Sequence, residues 1–366
     1  MKNIEDLKYL KLSLFLAQKG KGWTSPNPCV GAVIVKNRKI IGTGFHEGPG
    51  KPHAEAIVIQ KAGSQVHDSI LYLNLEPCVH WGRTPPCVER ITKSKIKRVV
   101  ISTFDPNPLV YKKGVERLKK EGIEVTIGLL EEESKKLNEI YFKYIVKKIP
   151  FIAIKAATSL DGKIATQNFQ SKWISSPCAR EYVHLIRGEF DCILVGINTI
   201  IHDDPLLTVR HPIWRNKKIK RVILDSNLRF PENAKILKTL FNGEIIIYTG
   251  KNSSEKKINI LRKKGVEIVP MSLKQGKIPI AEVLKDLGKR EVSSVLVEGG
   301  GKIFNTFLSQ KLVDKIFIFL APIIIGGEKA PSLYTDSKIE NLKKALNLKK
   351  INFLKIENNV LVEGYF

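Results

Sequence analysis

An α/β protein of two domains is predicted by three features of this 366-residue chain. Short apolar β-type runs alternate with helix-like segments, the alternation breaks at Lys147-Lys148-Ile149-Pro150, and the length exceeds that of a usual single domain. The domains expected are residues 1–147 and 148–366. With 43% hydrophobic residues, each has enough apolar material for an ordinary core.

Taken in order, an apolar run at 12–17 flanked by Glu5, Asp6 and Lys11 reads as an amphipathic first helix. It does not read as a signal peptide, because no cleavage-like site precedes Lys19-Gly20-Lys21. Strands are expected at 30–35, 70–75 and 98–102, with helices at 54–62, 87–94 and about 112–121, and a short strand at 124–127. That alternation argues for a three-layer α/β/α domain, closed by a polar helical stretch at 131–144. Past Pro150, strand patterns recur at 151–157, 192–195, 221–224, 244–248, 294–297 and 315–320, and helical patterns separate most of them. Lys-rich loops near 214–218 and 251–257 are expected to be exposed. No stretch approaches the apolar length of a membrane span.

The formal charge of +25 and pI near 9.7 invite a nucleic-acid reading. The excess, however, is mostly Lys scattered in short pieces, with no basic arm and no Arg interleaved with aromatics. A solvated Lys-rich surface with no specific nucleic-acid partner is the expectation. Five cysteines make an odd total that argues against a disulfide framework and for a cytoplasmic protein. Cys29, Cys178 and Cys192 read as buried thiols.

The remaining two cysteines belong to the most specific pattern in the chain: His53-Ala54-Glu55, then Pro77-Cys78, then Pro86-Cys87. One His and two thiolates hold Zn²⁺ with a position open, where the metal lowers the pKa of its water. A Glu two residues after the His then moves protons, which is the apparatus of hydrolytic nucleobase deamination. If His53 opens a helix, it reaches a metal off the helix end while Glu55 points at the water; residues two apart on a helix side would diverge. Each Cys follows a Pro, so both are expected near helix N-termini, where the dipole favours thiolate. A purely structural zinc site would want a fourth His or Cys and would leave Glu55 without a task.

Eight residues separate the two cysteines. Read from Leu75 as Leu-Glu-Pro-Cys-Val-His-Trp-Gly-Arg-Thr-Pro-Pro-Cys, this loop resembles the deaminase half of the bifunctional riboflavin-biosynthesis deaminase/reductase family. Pro26-Asn27-Pro28-Cys29-Val30-Gly31 and Asp105-Pro106-Asn107-Pro108 are similar to strings of that family. The chain departs from it at Val79, commonly Ser, and at Tyr111-Lys112, commonly Ala-Gly. Asn27, His80 and Arg83 stand at motif positions suited either to orienting a pyrimidine or its phosphate or to hydrogen bonding within the loops.

In the second half, Ser294-Val295-Leu296-Val297-Glu298-Gly299-Gly300-Gly301-Lys302 reads as a buried strand running through glycines into a helix. It is either a phosphate-binding helix N-terminus or a plain tight turn, and it lacks the dinucleotide glycine spacing. Lys155 to Gly162, Trp173-Ile174-Ser175, the run 199–210 and Asp225-Ser226 resemble the reductase half of the same family.

The resemblance covers nearly the whole chain. It implies a cytidine-deaminase-like domain carrying one zinc, joined to a dihydrofolate-reductase-like domain that binds NADPH. It places NADPH at Ala157, Trp173, Thr199, Asp203, Ser226 and the segment Gly300, Gly301, Lys302, Ile303, Phe304, Asn305 and Thr306. Substrate positions would be Ser171, Arg187, Leu207, Arg210 and Glu298. Arg187 and Arg210 would suit a ribose phosphate through their planar forks, or else form ion pairs. The implied partner is a phosphorylated pyrimidine, deaminated in one domain and reduced in the other by a homo-oligomeric enzyme. Lys155, Asp203 and Glu298 are the polar groups to examine for electrostatic or proton-transfer help, with no role assigned to any of them.

Overall fold

The computed structural model describes residues 2–81, 85–335 and 339–366, and divides the chain into two compact units, Met1–Ile149 and Pro150–Phe366. Arg83 lies outside the described residues.

The first unit begins with helix α1 (Lys2–Gln18). Asp6, Leu10, Ser13 and Ala17, spaced to share one helix face, are buried against the sheet. Strands β1 (Gly31–Lys36) and β2 (Lys39–Phe45) form a hairpin, followed by α2 (Ala54–Ala62), β3 (Ile70–Leu75), α3 (Cys87–Lys93), β4 (Arg98–Thr103), α4 (Lys113–Lys120), β5 (Glu124–Ile127), α5 (Glu131–Leu137) and α6 (Glu139–Lys147). The sheet order is β2-β1-β3-β4-β5, with β3, β4 and β5 parallel and β1 antiparallel to both neighbours.

Period-two alternation sorts the strand residues onto two cores. Ala32, Ile34, Leu71, Leu73, Val99 and Ile101 pack with residues of α2, α3 and α4, while Val33, Val35, Tyr72 and Val100 pack with α1. This is the expected three-layer arrangement. A buried fork joins α1 to the sheet: Arg98 donates from Nη1 and Nη2 to the Asp6 carboxylate at 3.0 and 2.7 Å, and Tyr72 donates to the same group at 3.0 Å. Strand β2 escapes the sequence pattern because Gly42 and Gly44 interrupt it. Both are tight positions, where a Cβ would lie 2.9 Å from Val58 O and 2.8 Å from Ile57 Cγ2 of α2.

The second unit contains β6 (Phe151–Thr158), α7 (Pro177–Gly188), β7 (Cys192–Gly196), α8 (Ile197–Asp203), β8 (Lys220–Leu224), β9 (Ile245–Gly250), α9 (Glu255–Lys263), β10 (Val266–Met271), α10 (Ile280–Lys289), β11 (Ser294–Val297), α11 (Gly301–Ser309), β12 (Lys315–Leu320), β13 (Lys349–Ile356) and β14 (Asn359–Tyr365). Its nine-stranded sheet runs β10-β9-β8-β7-β11-β6-β12-β14-β13, parallel from β10 to β12, with β14 antiparallel to β12 and β13. Alternate faces feed two cores, one centred on Leu194, Val222, Ile246 and Val297, the other on Ile193, Val195, Ile223 and Ile247.

Three sequence expectations are corrected. The loop expected at 251–257 becomes helix at Glu255, because the Ser254 side chain accepts the Lys257 N–H and caps α9. In the exposed loop expected at 214–218, Trp214 is buried and donates Nε1–H to Leu185 O at 3.0 Å. Cys178 is exposed and donates to Glu357 Oε1, whereas Cys29 and Cys192 are buried as expected. Among the described residues, no helix is long and apolar enough to cross a membrane.

Candidate active sites

In the first unit, three sequence-distant residues meet at the ends of β3, α2 and α3. His53 is the N-cap of α2, with extended backbone (φ −70°, ψ 159°), so its ring projects off the helix end while its carbonyl accepts the Ile57 N–H. Its Nδ1 lies 3.2 Å from Cys87 Sγ and 3.6 Å from Cys78 Sγ. Cys87 opens α3 as expected, but Cys78 lies in the loop after β3 and heads no helix. It nevertheless receives the benefit of one, since the Cys87 N–H at the start of α3 donates to Cys78 Sγ at 3.3 Å.

The donor set fits a zinc ion. Zinc–sulfur bonds of about 2.3 Å and zinc–nitrogen bonds of about 2.0 Å in tetrahedral array separate N from S by roughly 3.5 Å. The observed N–S distances of 3.2 and 3.6 Å bracket that value, and all three donor atoms fall within 4.8 Å of one another. Glu55, on the first turn of α2, is buried, and its Oε2 has no hydrogen-bond partner among the described residues. Such an orphaned carboxylate oxygen beside three ligands is a place for a proton-bearing reactant.

The electrostatics follow from burial and from the sulfur pair. A hydrogen bond from Cys87 is the main reason the Cys78 thiol is held down at about 4, with His53 adding to it, while the Cys87 proton is correspondingly held tightly. Burial raises the Glu55 carboxyl. The hydrogen bond to Cys78 raises His53. Zinc requires thiolates and a free His nitrogen, so its binding at neutral pH is expected to release about one to two protons. Calorimetric titration of metal-free protein in buffers of different ionisation enthalpy measures this number, and affinity should weaken as pH falls; zero protons would mean that the sulfurs are not the ligands.

Around this centre sequence reasoning missed His46. It is buried, its Nε2 faces Asn27 Nδ2 at 3.1 Å, its Nδ1 faces Pro52 O at 3.1 Å, and its ring meets His53 edge-on at 5.1 Å. Burial lowers its pKa, so it is neutral, donating from Nδ1 to Pro52 O and accepting at Nε2 from Asn27. A His seven residues before the ligand was the only signal, and it names no role. His80 Nδ1 is a second buried atom with no hydrogen-bond partner among the described residues.

The expected Asp105 to Pro108 string is held by Glu76, whose carboxylate accepts the N–H groups of Asp105, Lys112 and Val115 at 3.0–3.2 Å. Asp105 in turn accepts from Tyr141 and from the Asn107 N–H, and burial raises it to about 6. Lys112 occupies left-handed backbone (φ 63°), where the Gly common in the resembling family is unstrained. Its ammonium lies over the Tyr111 ring. Val79, where that family commonly has Ser, packs against the core.

In the second unit the expected cofactor positions gather at the carboxyl ends of parallel strands, where open α/β sheets bind ligands. Ala157 is near the end of β6, Thr199 and Asp203 lie on α8 after β7, Ser226 follows β8, and Gly300 caps α11 after β11. Ser171 donates to Asp203 Oδ1 at 3.2 Å. Trp173 is 68% exposed, so it is not a core residue, and Arg180 stacks over it at 4.3 Å.

The glycine segment is only partly open. A Cβ on Gly299 would meet Ile303 at 2.7 Å and one on Gly196 would meet the same side chain at 2.9 Å, so close packing explains both. Gly300 has open space, whereas a Cβ on Gly301, which with Lys302 begins the nine-residue α11, would meet Ser332 O at 2.9 Å, and the Ile303 and Phe304 N–H groups donate to Gly300 O. Deeper in α11, Phe304 is core, Asn305 pairs with Thr335, and Thr306 donates to Lys302 O. The side chains of Phe304, Asn305 and Thr306 are therefore engaged within the unit.

Arg187 and Glu298 form a buried bidentate pair, Nε–Oε1 2.6 Å and Nη2–Oε2 2.8 Å, and Arg187 Nη1 donates to Thr208 O at 3.0 Å. The fork expected to face a phosphate thus faces a carboxylate. Burial would raise Glu298, but Arg187, with Lys155 and His184, outweighs it and holds the acid at about 2. Lys155 is lowered by burial, opposed by Glu298. Arg210 is exposed, with Nη1 donating to Thr208 Oγ1 at 2.9 Å, and Leu207 is buried in left-handed backbone (φ 50°) beside it.

Residues 3–103 match the family model of the cytidine and deoxycytidylate deaminase zinc-binding region, and residues 150–362 match that of the RibD C-terminal domain. The chain is 44% identical over 353 residues to riboflavin biosynthesis protein RibD of Aquifex aeolicus (strain VF5), covering 96% of this chain and 95% of that one. It is 42% identical over 340 residues to the RibD protein of Bacillus amyloliquefaciens, covering 93% and 91%. Among solved structures, Acinetobacter baumannii RibD (form 1) superposes with a TM-score of 0.87 at 33% identity, over 99% of this chain and 98% of that one. A diaminohydroxyphosphoribosylaminopyrimidine deaminase/5-amino-6-(5-phosphoribosylamino)uracil reductase from Thermotoga maritima superposes with a TM-score of 0.86 at 36% identity, over 100% and 99%. With both family models matched in order and relatives sharing its full length, the chain belongs to the RibD family of riboflavin-biosynthesis proteins, a zinc-dependent deaminase joined to an NADPH-dependent reductase.

Proposed function

We propose that this enzyme deaminates 2,5-diamino-6-(5-phosphoribosylamino)pyrimidin-4(3H)-one and then reduces the ribosyl group of the product to a ribityl chain. The observation that carries the first step is the unpartnered, buried Oε2 of Glu55 beside the His53, Cys78 and Cys87 donors. When bound, zinc supplies an acidified water and electrostatic stabilisation. Glu55, whose pKa is raised by burial, would accept a proton from the attacking water and pass it to the ring nitrogen, then take the proton of the hydroxyl now on C2 and give it to the departing amine. The balance is water in and ammonia out, with a carbonyl replacing the C2 amine. His46, Asn27 and His80 orient the pyrimidine, Asn27 being held by His46.

In the second step NADPH supplies hydride to C1′, and the chain's residues supply position and charge. The nitrogen lone pair would expel O4′, which takes a proton from solvent, leaving a protonated imine; hydride delivered to C1′ would then give a secondary amine on which the nitrogen keeps its own proton. Ala157, Trp173, Thr199, Asp203, Ser226 and the turn at residues 300–302 frame the cofactor; Ser171, Leu207 and Arg210 frame the substrate. Glu298, kept ionised by Arg187, and Lys155 set the field at C1′. Residues 1–147 carry the first activity and 148–366 the second.

The reading includes a homo-oligomer, favoured by exposed Phe353, Ile351 and Leu354 on edge strand β13. It includes a cytoplasmic setting, favoured by free cysteines, and no specific nucleic-acid partner, favoured by dispersed Lys. Zinc-loaded protein incubated with the diaminopyrimidine should release ammonia without NADPH, and then oxidise NADPH once the deaminated product is present. NADPH oxidation with no prior ammonia release would contradict this order.

A further inference from the structure

Helix α7 presents Glu181, His184 and Arg187 at three-residue intervals, which puts them on one helix face. Each meets the segment 208–211. Arg187 Nη1 donates to Thr208 O at 3.0 Å, the Arg210 N–H donates to His184 Nδ1 at 3.3 Å, and Glu181 Oε1 lies 3.9 Å from His211 Nε2. The segment is also tied to itself, through Arg210 Nη1 and Thr208 Oγ1. Glu298 fixes Arg187 from the opposite side, so the first rung is set by the buried pair and the middle rung by His184 alone.

We propose that His184 is a positioning residue of the reductase site, whose Nδ1 holds the Arg210 backbone so that the Arg210 guanidinium meets the substrate's phosphate. This rests on the reading above that Arg210 and Leu207 face the phosphorylated pyrimidine. The residue type suits the task. Burial, helped by Arg187 and Arg210, lowers the His184 pKa to about 4, so at neutral pH the ring offers an acceptor without a charge. A carboxylate at this position would draw the Arg210 guanidinium onto itself, and a Lys would add a cation beside Arg187, Arg210 and Lys155 without accepting anything. An uncharged acceptor fixes the backbone and leaves the guanidinium for the ligand. The roles are separated along one side chain: the Arg210 main chain is held by α7, and its head group is supported by Thr208.

The test uses the full chain, loaded with zinc, and the deaminated pyrimidine nucleotide with NADPH. His184→Leu removes the acceptor and should raise KM for the nucleotide about tenfold while kcat stays within about twofold, because the lost hydrogen bond serves ground-state binding. His184→Asn restores an uncharged acceptor near the Nδ1 position and should bring KM back to within about threefold of the parent. NADPH binding, read by fluorescence, should be unchanged in both. In the double variant with Arg210→Gln, the His184→Leu effect should vanish, since it acts through Arg210. If Arg210→Gln alone leaves KM unchanged, the reading of Arg210 as a phosphate contact fails. If Arg210→Gln raises KM but His184→Leu does not, or the two effects add, the positioning role fails. Parallel loss of NADPH binding and of substrate affinity, without rescue by Asn, would make His184 a structural residue and overturn the proposal.

Discussion

Glu55→Gln should retain about one zinc per chain and lose deamination by roughly 10²–10⁴-fold. The carboxylate is not among the three donors that cluster, so metal content measured by emission spectroscopy should match the parent. What the amide lacks is the ability to accept a proton and return it. Reduction of deaminated substrate should be untouched, because the reductase residues belong to the other compact unit. Cys78→Ser and Cys87→Ser provide the contrast. Each removes a soft ligand, so zinc and activity should disappear together and the first unit should unfold at lower temperature. Parallel loss of zinc in Glu55→Gln would show that this carboxylate supports the metal, and the proton-transfer role would have to be given up.

Arg187→Met should abolish reduction and destabilise the Pro150–Phe366 unit by about 3–5 kcal/mol, while deamination continues. The substitution leaves the Glu298 carboxylate buried without its bidentate partner, and removing one member of a buried ion pair costs more than the pair contributes. It also strips the Thr208 carbonyl of its donor. Denaturant unfolding followed alongside both activities checks the prediction. The pH dependence adds a sign. In the parent, Glu298 is depressed from 4.5 to about 2, so its stabilisation is present above about 4.5 and is lost as pH falls toward 2. That acid-side loss should be absent from Arg187→Met. Unchanged stability, or equal loss of both activities, would mean that the pair is not an anchor of the reductase unit.

How much was legible varies with the physics behind each feature. His53, Glu55, Cys78 and Cys87 stood out because metal chemistry demands particular side chains at particular intervals. Long apolar strands such as β3, β4, β7 and β11 were readable because burial on both faces leaves a continuous apolar run. Helix α7 carried a capping signature, Ser176 before Pro177, that the strand pattern overshadowed. The chain termini of the sheet were harder. The side chains of β13 are mostly exposed, so no burial pattern marks it, and only pairing with β14 makes it a strand.

Local chemistry, written in residue types and intervals, therefore settled the α/β class and the zinc-ligand candidates. Partnership between residues far apart in the chain was settled by folding. Arg187 and Glu298 lie 111 residues apart, and nothing in either neighbourhood says that the guanidinium would meet a carboxylate in place of a phosphate. Asp6 and Arg98, 92 apart, and the α7 rungs to residues 208–211 are of the same kind. A hydrogen bond or ion pair depends on ångström distances and on water exclusion, and those are properties of the packed chain that no interval along the sequence encodes.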